Sequence, residues 1–309
     1  MPYVSVVIPI YNGETDLPNL IDCLRSQTYL ASDVEYLPVD NNSSDRTPEL
    51  LEAAIAADPT FPLRPLSETQ IQSSYAARNR GIRAARGEII AFTDADCRPE
   101  PQWLEALLRP FKDEKIGLVV GEIVALPGDT LLERHADRQG TLSQKYTLAH
   151  PFYPYGQTAN LAVRREAFVK AGLFRPHLTT GGDADLCWRI QRDTGYQLAF
   201  VEKAVVKHRH RATLRSLRSQ WRRYGESNRY LHDLHGVDLM KEMTTADYAY
   251  RLGRWLVKEL PANSLKAIAG RGDWVDAIGT PIGLLNARSR AEGQREAVLS
   301  ERAQQIEWL

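Results

Sequence analysis

Apolar, β-branched runs alternate with helical patterns through the first hundred residues, and this alternation constrains the fold more than any other feature. The run at residues 4–10 ends in an Asn-Gly turn and leads into leucines and isoleucine at helical spacing. The run at 34–39 repeats this order, and a helical pattern over 74–86 precedes a strand pattern over 88–93. Strands that alternate with helices predict an α/β fold, with a mostly parallel sheet flanked by helices.

The alternation loosens after residue 96, although the pattern still predicts a helix over residues 183–193 and a strand over 197–206. From residue 213 the pattern becomes helical. We therefore expect an α/β domain over residues 1–211, followed by a mainly helical C-terminal extension over 212–309.

Composition narrows the partners and the compartment. Lys+Arg and Asp+Glu both total 39, so the net charge offers no general attraction to nucleic acid, and no nucleic-acid partner is expected. The three cysteines are odd in number and lack metal-ligand spacing, which favours a reducing compartment and a cytoplasmic location. No secretory signal pattern is present, and no run approaches the ~20 apolar residues that cross a bilayer. The sequence thus predicts neither secretion nor a membrane span.

Two carboxylates follow the apolar strand that ends at Thr93. In an extended chain Asp94 and Asp96 face the same side, and ligands bind such sheets beyond the carboxyl ends of the strands. A hard divalent cation between these carboxylates and a diphosphate would relieve their mutual repulsion. The alternative is a solvated turn, because aspartate is common after strands and this motif is short.

Five segments place these aspartates in a wider pattern. They are Pro9-Ile10-Tyr11-Asn12, Asp40-Asn41-Asn42-Ser43-Ser44-Asp45, Ala77-Arg78-Asn79-Arg80-Gly81-Ile82, Gly87 through Asp96, and Asp183-Ala184-Asp185-Leu186. In order and approximate spacing they resemble glycosyltransferase family 2, roughly over residues 3–225. The resemblance implies a GT-A fold, a nucleotide-sugar donor, Mn²⁺ or Mg²⁺, and inversion at the anomeric carbon. Residues 1–100 would then bind the nucleotide and residues 101–211 the acceptor.

The resemblance assigns a role to each matching position. The nucleotide pocket would be lined by Pro9, Tyr11 and Asn12, and Asp40 would accept hydrogen bonds from the base or the ribose. The base or the diphosphate would be contacted by Arg78 and Asn79. The metal would link the diphosphate to Asp94 and Asp96, with Asp96 the closer ligand. For Asp40 a turn cap is the alternative, and for Arg78 a surface ion pair.

The acidic motif departs from the family pattern. The family usually has Glu-Asp-x-Asp, in which the Asp of the Glu-Asp pair is the general base toward the acceptor hydroxyl, whereas this chain has Gly182-Asp183-Ala184-Asp185. Asp183 is the expected base, and Asp185 is a second candidate. Either aspartate could instead cap or begin the helix.

Histidines follow the strand predicted over residues 197–206. The position of His208 resembles that of a metal-binding histidine in GT-A enzymes, with His210 as the reserve, and imidazole suits Mn²⁺ better than Mg²⁺. A solvated basic turn is the alternative.

The helix predicted over residues 213–231 has Trp221 and Tyr224 on its apolar face and arginines elsewhere. We expect it to pack on the catalytic domain and to bury Leu214, Leu217 and Trp221. Peripheral contact with a membrane is the alternative, because interfacial helices share this pattern.

The resulting hypothesis is a metal-dependent hexosyltransferase that uses a nucleoside diphosphate sugar, UDP-linked before GDP-linked. Its acceptor would be a saccharide, a lipid-linked molecule or another compound with a hydroxyl group. The alternatives are a sugar-phosphate nucleotidylyltransferase and a non-catalytic nucleotide-sugar-binding module. The first would need a glycine-rich phosphate loop after the first strand, where this chain has only Gly13.

Overall fold

The computed structural model describes residues 3–309. Within these residues eight strands form one sheet, in the order β3-β2-β1-β4-β7-β6-β8-β5. They are β1 (Val4–Ile10), β2 (Val34–Asp40), β3 (Leu66–Ser67), β4 (Ile89–Phe92), β5 (Cys97–Pro99), β6 (Ile116–Ala125), β7 (Leu161–Arg164) and β8 (Gln197–His208).

Twelve α-helices lie between and after these strands along the described chain. They are α1 (Leu17–Arg25), α2 (Thr47–Ala57), α3 (Ser74–Ala84), α4 (Trp103–Leu108), α5 (Leu131–Arg138), α6 (Lys145–Leu148), α7 (Arg165–Ala171), α8 (Gly182–Thr194), α9 (Leu214–His235), α10 (Thr245–Arg254), α11 (Leu260–Ile268) and α12 (Trp274–Glu296). A π-helical turn, Trp255–Glu259, joins α10 to α11.

Strand β1 lies inside the parallel half of the sheet. It pairs with β2 on one side and β4 on the other, both parallel, and all seven of its residues are buried. Ile10 lies opposite Asp40, so the polar turns after β1 and β2 meet at one edge of the sheet. Beyond β4 the pairing becomes antiparallel, through β7 and β6. The predicted α/β fold is confirmed, with parallel pairing from β3 to β4 and antiparallel pairing of β4 with β7, β7 with β6 and β5 with β8.

Helix α3 lies directly on β1 because Gly81 has no side chain. A Cβ atom at Gly81 would lie 2.3 Å from Cγ1 of Val7, too close for any other residue. At the start of the helix, Oγ of Ser73 accepts a hydrogen bond from the backbone N–H of Tyr75. This close approach carries Arg78, on the same helix, to the ligand-binding edge of the sheet.

The chain forms two compact units. The first contains the residues up to Val124, Leu142–His208 and Ser300–Leu309, and the second contains Ala125–Thr141 and Arg209–Leu299. The chain therefore returns to the first unit at its C-terminus. The division at residues 100 and 211 into nucleotide-binding, acceptor-binding and C-terminal parts stays a prediction.

The second unit is built around the crossing of α9 and α12. A Cβ atom at Gly225 would lie 1.9 Å from the carbonyl oxygen of Arg290, and one at Gly293 would lie 2.0 Å from that of Arg222. Two glycines thus let the helix backbones touch. Within the described chain, no helix combines the length and apolar content needed to cross a bilayer.

The predicted helix at 213–231 is present and extends to His235. Leu217 is buried and Trp221 is partly buried, with the Arg290 guanidinium 5.8 Å from the centre of its indole ring. The expected burial of Leu214 is wrong. Its side chain is 52% exposed, because it lies in the first turn of α9.

Candidate functional site

The turns after β1 and β2 hold each other in place at the edge of the sheet. Asn12 has a left-handed backbone (φ 51°), which asparagine tolerates better than most residues, and its Oδ1 accepts a hydrogen bond from the N–H of Ser44 at 2.8 Å. The Asn12 N–H donates to Oγ of Ser43, and the Ser43 N–H donates to Oδ1 of Asp40 at 3.2 Å. Asn12 therefore shapes the loop.

Two other predicted nucleotide-binding residues of this region are differently placed. Tyr11 is exposed at the end of β1, whereas Pro9 is buried within the strand, opposite Val39. Asp40 is half-buried at the end of β2. Of Pro9, Tyr11 and Asp40, therefore, Tyr11 and Asp40 have side chains that reach solvent at the carboxyl ends of β1 and β2.

Four potential metal ligands converge after β4. One ligand atom from each of Asp94, Asp96, Cys97 and His208 lies within 4.8 Å of the others. The antiparallel pairing of β5 with β8 places Cys97 opposite His208, and Nε2 of His208 lies 3.4 Å from Oδ1 of Asp96. The register of two strands far apart in sequence thus brings the histidine to the aspartates.

The chemistry of this group fits a divalent cation. Two carboxylates and an imidazole suit Mn²⁺, and carboxylates suit Mg²⁺. Burial, together with the charges of Asp94 and Asp96, raises the pKa of the Cys97 thiol well above its ordinary value. A soft thiol is also a less suitable ligand than a carboxylate for Mn²⁺ or Mg²⁺. No sequence pattern singled out Cys97, although it directly follows Asp96. Among the described residues the group includes His208 and not His210, which is buried in the second unit.

Arg78 and Asn79 are neighbours on α3 but point to different surroundings. Nη2 of Arg78 donates to Oδ1 of Asp94 at 2.5 Å, and its guanidinium lies 5.7 Å from the centre of the Tyr75 ring. Asn79 is fully buried, and its amide bonds the backbone of Phe174 and the carboxylate of Glu307. The structure therefore brings Arg78, but not Asn79, to the carboxylates.

Asp183 lies in the first turn of α8. Its two carboxylate oxygens accept hydrogen bonds from the N–H and the hydroxyl of Thr158, both at 3.1 Å. Burial raises the pKa of the Asp183 carboxyl, while the charge of Arg78 and the Thr158 hydrogen bonds act in the opposite direction and the charge of Asp94 adds to the rise. Asp183 thus shares one electrostatic environment with Arg78 and Asp94, and it is a stronger base than an ordinary carboxylate.

Asp185, the second candidate base, is enclosed by arginines. Its side chain is fully buried, with Oδ1 accepting from Nε of Arg175 at 3.1 Å and Oδ2 accepting from Nε and Nη2 of Arg189 at 3.1 and 3.0 Å. Both oxygens are therefore committed to a buried ion-pair network.

The ring of Tyr75 fills the space beside Gly182. A Cβ atom at Gly182 would lie 2.7 Å from Cζ of Tyr75, and the N–H of Gly182 donates to the Tyr75 hydroxyl at 2.9 Å. The ring also stacks on Phe174, with 5.4 Å between ring centres. Gly182 therefore has a physical reason to be glycine, and the hydroxyl satisfies one of the unpaired N–H groups at the start of α8.

Sequence reasoning missed Tyr75 and Thr158. Tyr75 lies one helical turn before Arg78, so its presence on the same face could have been found from the helical period. Thr158 begins a short 3-10 helix, Thr158–Asn160, and nothing in the sequence links it to Asp183.

The chain is similar in sequence to several known proteins. The glycosyl transferase family 2 model matches residues 5–174. Glycosyltransferase AglE of Haloferax volcanii is 35% identical over 224 residues, which is 72% of this chain and 72% of that protein. The pre-mycofactocin glycosyltransferase of Mycobacterium tuberculosis is 30% identical over 229 residues, which is 72% of this chain but 46% of the relative.

Solved structures show the same fold. The mannosyltransferase PcManGT from Pyrobaculum calidifontis, in complex with GDP-Man and Mn²⁺, has a TM-score of 0.65 at 19% identity. The match covers 96% of this chain and 87% of the PcManGT chain. Glucosyl-3-phosphoglycerate synthase from M. tuberculosis, with Mn²⁺, UDP-glucose and phosphoglyceric acid, has a TM-score of 0.53 at 23% identity. That match covers 77% of this chain and 81% of the synthase chain. At these identities the likeness establishes the architecture.

Proposed function

The chain belongs to glycosyltransferase family 2 and adopts the GT-A fold, and on that premise we propose that it is a metal-dependent inverting transferase. The donor is a nucleoside diphosphate sugar, with a UDP-sugar as the first candidate and a GDP-sugar as the second. The acceptor supplies a hydroxyl group, from a saccharide, a lipid-linked molecule or another glycoconjugate precursor.

One arrangement supports this proposal: the group of potential metal ligands includes Asp94, and the candidate base Asp183 interacts electrostatically with that aspartate. Asp94, Asp96 and His208 would hold Mn²⁺ or Mg²⁺, and such an ion would offset the charge that develops on the leaving diphosphate. Asp183 is coupled electrostatically to Arg78 and Asp94, which links the base to this group. Two relatives of the same fold are in complexes with Mn²⁺ and a nucleotide sugar, which supports the same chemistry here.

In the proposed reaction the Asp183 carboxylate takes the proton of the acceptor hydroxyl. The hydroxyl oxygen then forms a bond to the anomeric carbon as the bond from that carbon to the diphosphate oxygen breaks, so configuration inverts. Thr158 holds the carboxylate in place through both of its oxygens. Tyr11 and Asp40 would contact the base or ribose, with Pro9 and Asn12 shaping the strand end and turn that present them. Arg78 would hold Asp94 and balance the local negative charge.

Calorimetry with UDP and GDP, in Mn²⁺, Mg²⁺ or chelator, tests the proposal. We expect diphosphate binding to require the ion, and Asp96→Ala to reduce binding to the level seen with chelator. Asp22→Ala removes an exposed carboxylate from α1 and is the control that should bind like wild type. Equal affinity with ion and with chelator would contradict the metal site.

Product analysis separates the reaction classes. Release of UDP from UDP-glucose, or of GDP from GDP-mannose, is the expected outcome. Formation of pyrophosphate from a nucleoside triphosphate and a sugar phosphate would indicate a nucleotidylyltransferase instead. Diphosphate binding without turnover of any donor would indicate a binding module.

A further inference from the structure

The helical segment at residues 245–268, formed by α10, the π turn and α11, exposes its apolar side. Its inner side is anchored to α12 by polar contacts: Nε1 of Trp255 donates to the Ala277 carbonyl at 2.7 Å, and Nδ2 of Asn263 donates to that of Asp276 at 3.0 Å. Trp255 and Asn263 are eight residues apart, which places them near one another around a helix. This side is therefore already occupied.

The outer side consists of large apolar residues. Tyr250 is 70% exposed, Val257 78%, Leu265 68% and Ile268 74%; within the described chain only Val298 among large apolar residues exceeds them. A helix in an aqueous protein ordinarily directs its apolar stripe toward its neighbour. This segment has the opposite arrangement. Its four most exposed apolar residues recur at intervals of seven, eight and three residues, which places them along one side of a helix, and an exposed apolar patch marks an interaction site.

The charges beside this stripe are mostly positive. Arg251, Arg254, Lys258, Lys266 and Arg271 are exposed. The segment has two acids: Asp247 bonds Thr244 at the start of α10, and Glu259 is half-buried and paired with Arg254. Apolar side chains flanked by exposed cations match the interface of an anionic lipid bilayer. The apolar side chains would insert at the level of the acyl chains, and the cations would contact the anionic headgroups.

From this combination we propose that the surface formed by Tyr250, Val257, Leu265, Ile268 and their flanking cations binds peripherally to anionic membranes. In a symmetric dimer through the same surface, the cations would face identical cations, which disfavours a second copy as the occupant. Nucleic-acid interfaces are strongly polar, which disfavours that partner for a surface with this apolar content. In α9 the side that holds Gly225 packs on α12, so that side of the helix is not available to lipid.

Vesicle co-sedimentation of the full chain tests the proposal without any measure of catalysis. The wild type should bind vesicles of phosphatidylcholine with phosphatidylglycerol, bind pure phosphatidylcholine weakly, and dissociate at high salt. The variant Lys258→Glu/Lys266→Glu should bind at least about 25-fold more weakly, because each cation near such a surface contributes about fivefold. Val257→Asp/Ile268→Asp should also lose binding, whereas Val169→Asp, which places the same charge at an exposed position of α7, should not.

Circular dichroism and the unfolding temperature of each variant verify the fold, which exposed substitutions should leave intact. The proposal is overturned if the wild type does not co-sediment with anionic vesicles, or if Val257→Asp/Ile268→Asp binds them as the wild type does. It is also overturned if light scattering shows a dimer that this variant abolishes, since a second copy would then be the occupant.

Discussion

At the residue scale, the two aspartates of the acidic motif have opposite surroundings although they are two positions apart. Asp183 is held by Thr158 near Arg78 and Asp94, whereas Asp185 is buried between Arg175 and Arg189. Positions two apart on a helix face different directions, so α8 presents one carboxylate to the site and the other to the core. This geometry supports Asp183 as the base.

We predict that Asp183→Asn lowers transfer at least ~10²-fold while donor affinity stays near wild type, because the amide keeps the size but accepts no proton. Its unfolding temperature at neutral pH should be no lower than that of wild type. A carboxyl with a raised pKa favours the folded state below its unfolded pKa, and that contribution is lost as pH rises through the folded pKa. The ionised group therefore costs stability at neutral pH, and asparagine removes the cost.

Asp185→Asn is the contrast for this variant. Removing a buried charge from two arginines should cost about 3–5 kcal/mol in unfolding free energy, measured by denaturant titration. Normal turnover in Asp183→Asn, with loss of turnover in a well-folded Asp185→Asn, would assign the base to Asp185.

The pair of Tyr75 and Gly182 gives a second prediction at this scale. Gly182→Glu should destabilise the fold by about 1–3 kcal/mol, because its side chain would overlap the Tyr75 ring. Tyr75→Ala makes room, so the double variant Tyr75→Ala/Gly182→Glu should be more stable than the sum of the single changes implies. Additive free energies in this double-mutant cycle would show that the ring does not exclude a side chain at 182.

At the element scale, strand register determines the position of His208, which the local sequence pattern does not predict. The sequence predicts a strand over 197–206, but β8 continues to His208 and pairs there with Cys97. Two more ladder residues move the histidine from a predicted turn to a position beside Asp96. The pairing partner lies more than a hundred residues away, so no local pattern contains this information.

The glycine contact between α9 and α12 gives a prediction at this scale. Gly225→Ala should lower the unfolding free energy by about 1–3 kcal/mol or more, because the added methyl group would overlap the Arg290 carbonyl and a backbone must move. Gly283→Ala is the control at an exposed position of α12, where no atom lies within 4 Å of the new Cβ. It should instead stabilise by about 0.5–1 kcal/mol through helix propensity. Equal thermal shifts in the two variants would contradict the close helix contact.

At the scale of the whole molecule, the C-terminal ten residues return to the first unit and bond its interior. The N–H of Leu173 donates to the Glu307 carbonyl at 2.7 Å, and the Glu307 carboxylate accepts from Asn79 and pairs with Arg83, both at 2.9 Å. Arg175, the partner of Asp185, also donates to the Gln304 carbonyl. Asn79 is thus used to hold the chain terminus.

We predict that truncation after Leu299 lowers the unfolding free energy by at least about 3 kcal/mol. Several buried donors would lose their acceptors, at about 1–3 kcal/mol each. Calorimetry should show a smaller loss for Glu307→Ala, which spares the backbone contacts, and none for Glu301→Ala, an exposed control. An unchanged unfolding transition after truncation would mean that this segment contributes nothing to the first unit.

The sequence by itself determined the family, the α/β fold and the identity of the chemical groups. Strand and helix periods depend on neighbouring residues, and the motifs around Asp94, Asp96 and Asp183 are short enough to be found along the chain. The tertiary structure alone decided the orientation of those groups. It separated Arg78 from Asn79 and Asp183 from Asp185, placed Tyr75 against Gly182, and directed the apolar stripe of residues 245–268 outward. Each of these outcomes depends on contacts between distant segments, and burial, which sets both charge pairing and pKa, exists only once those segments have packed.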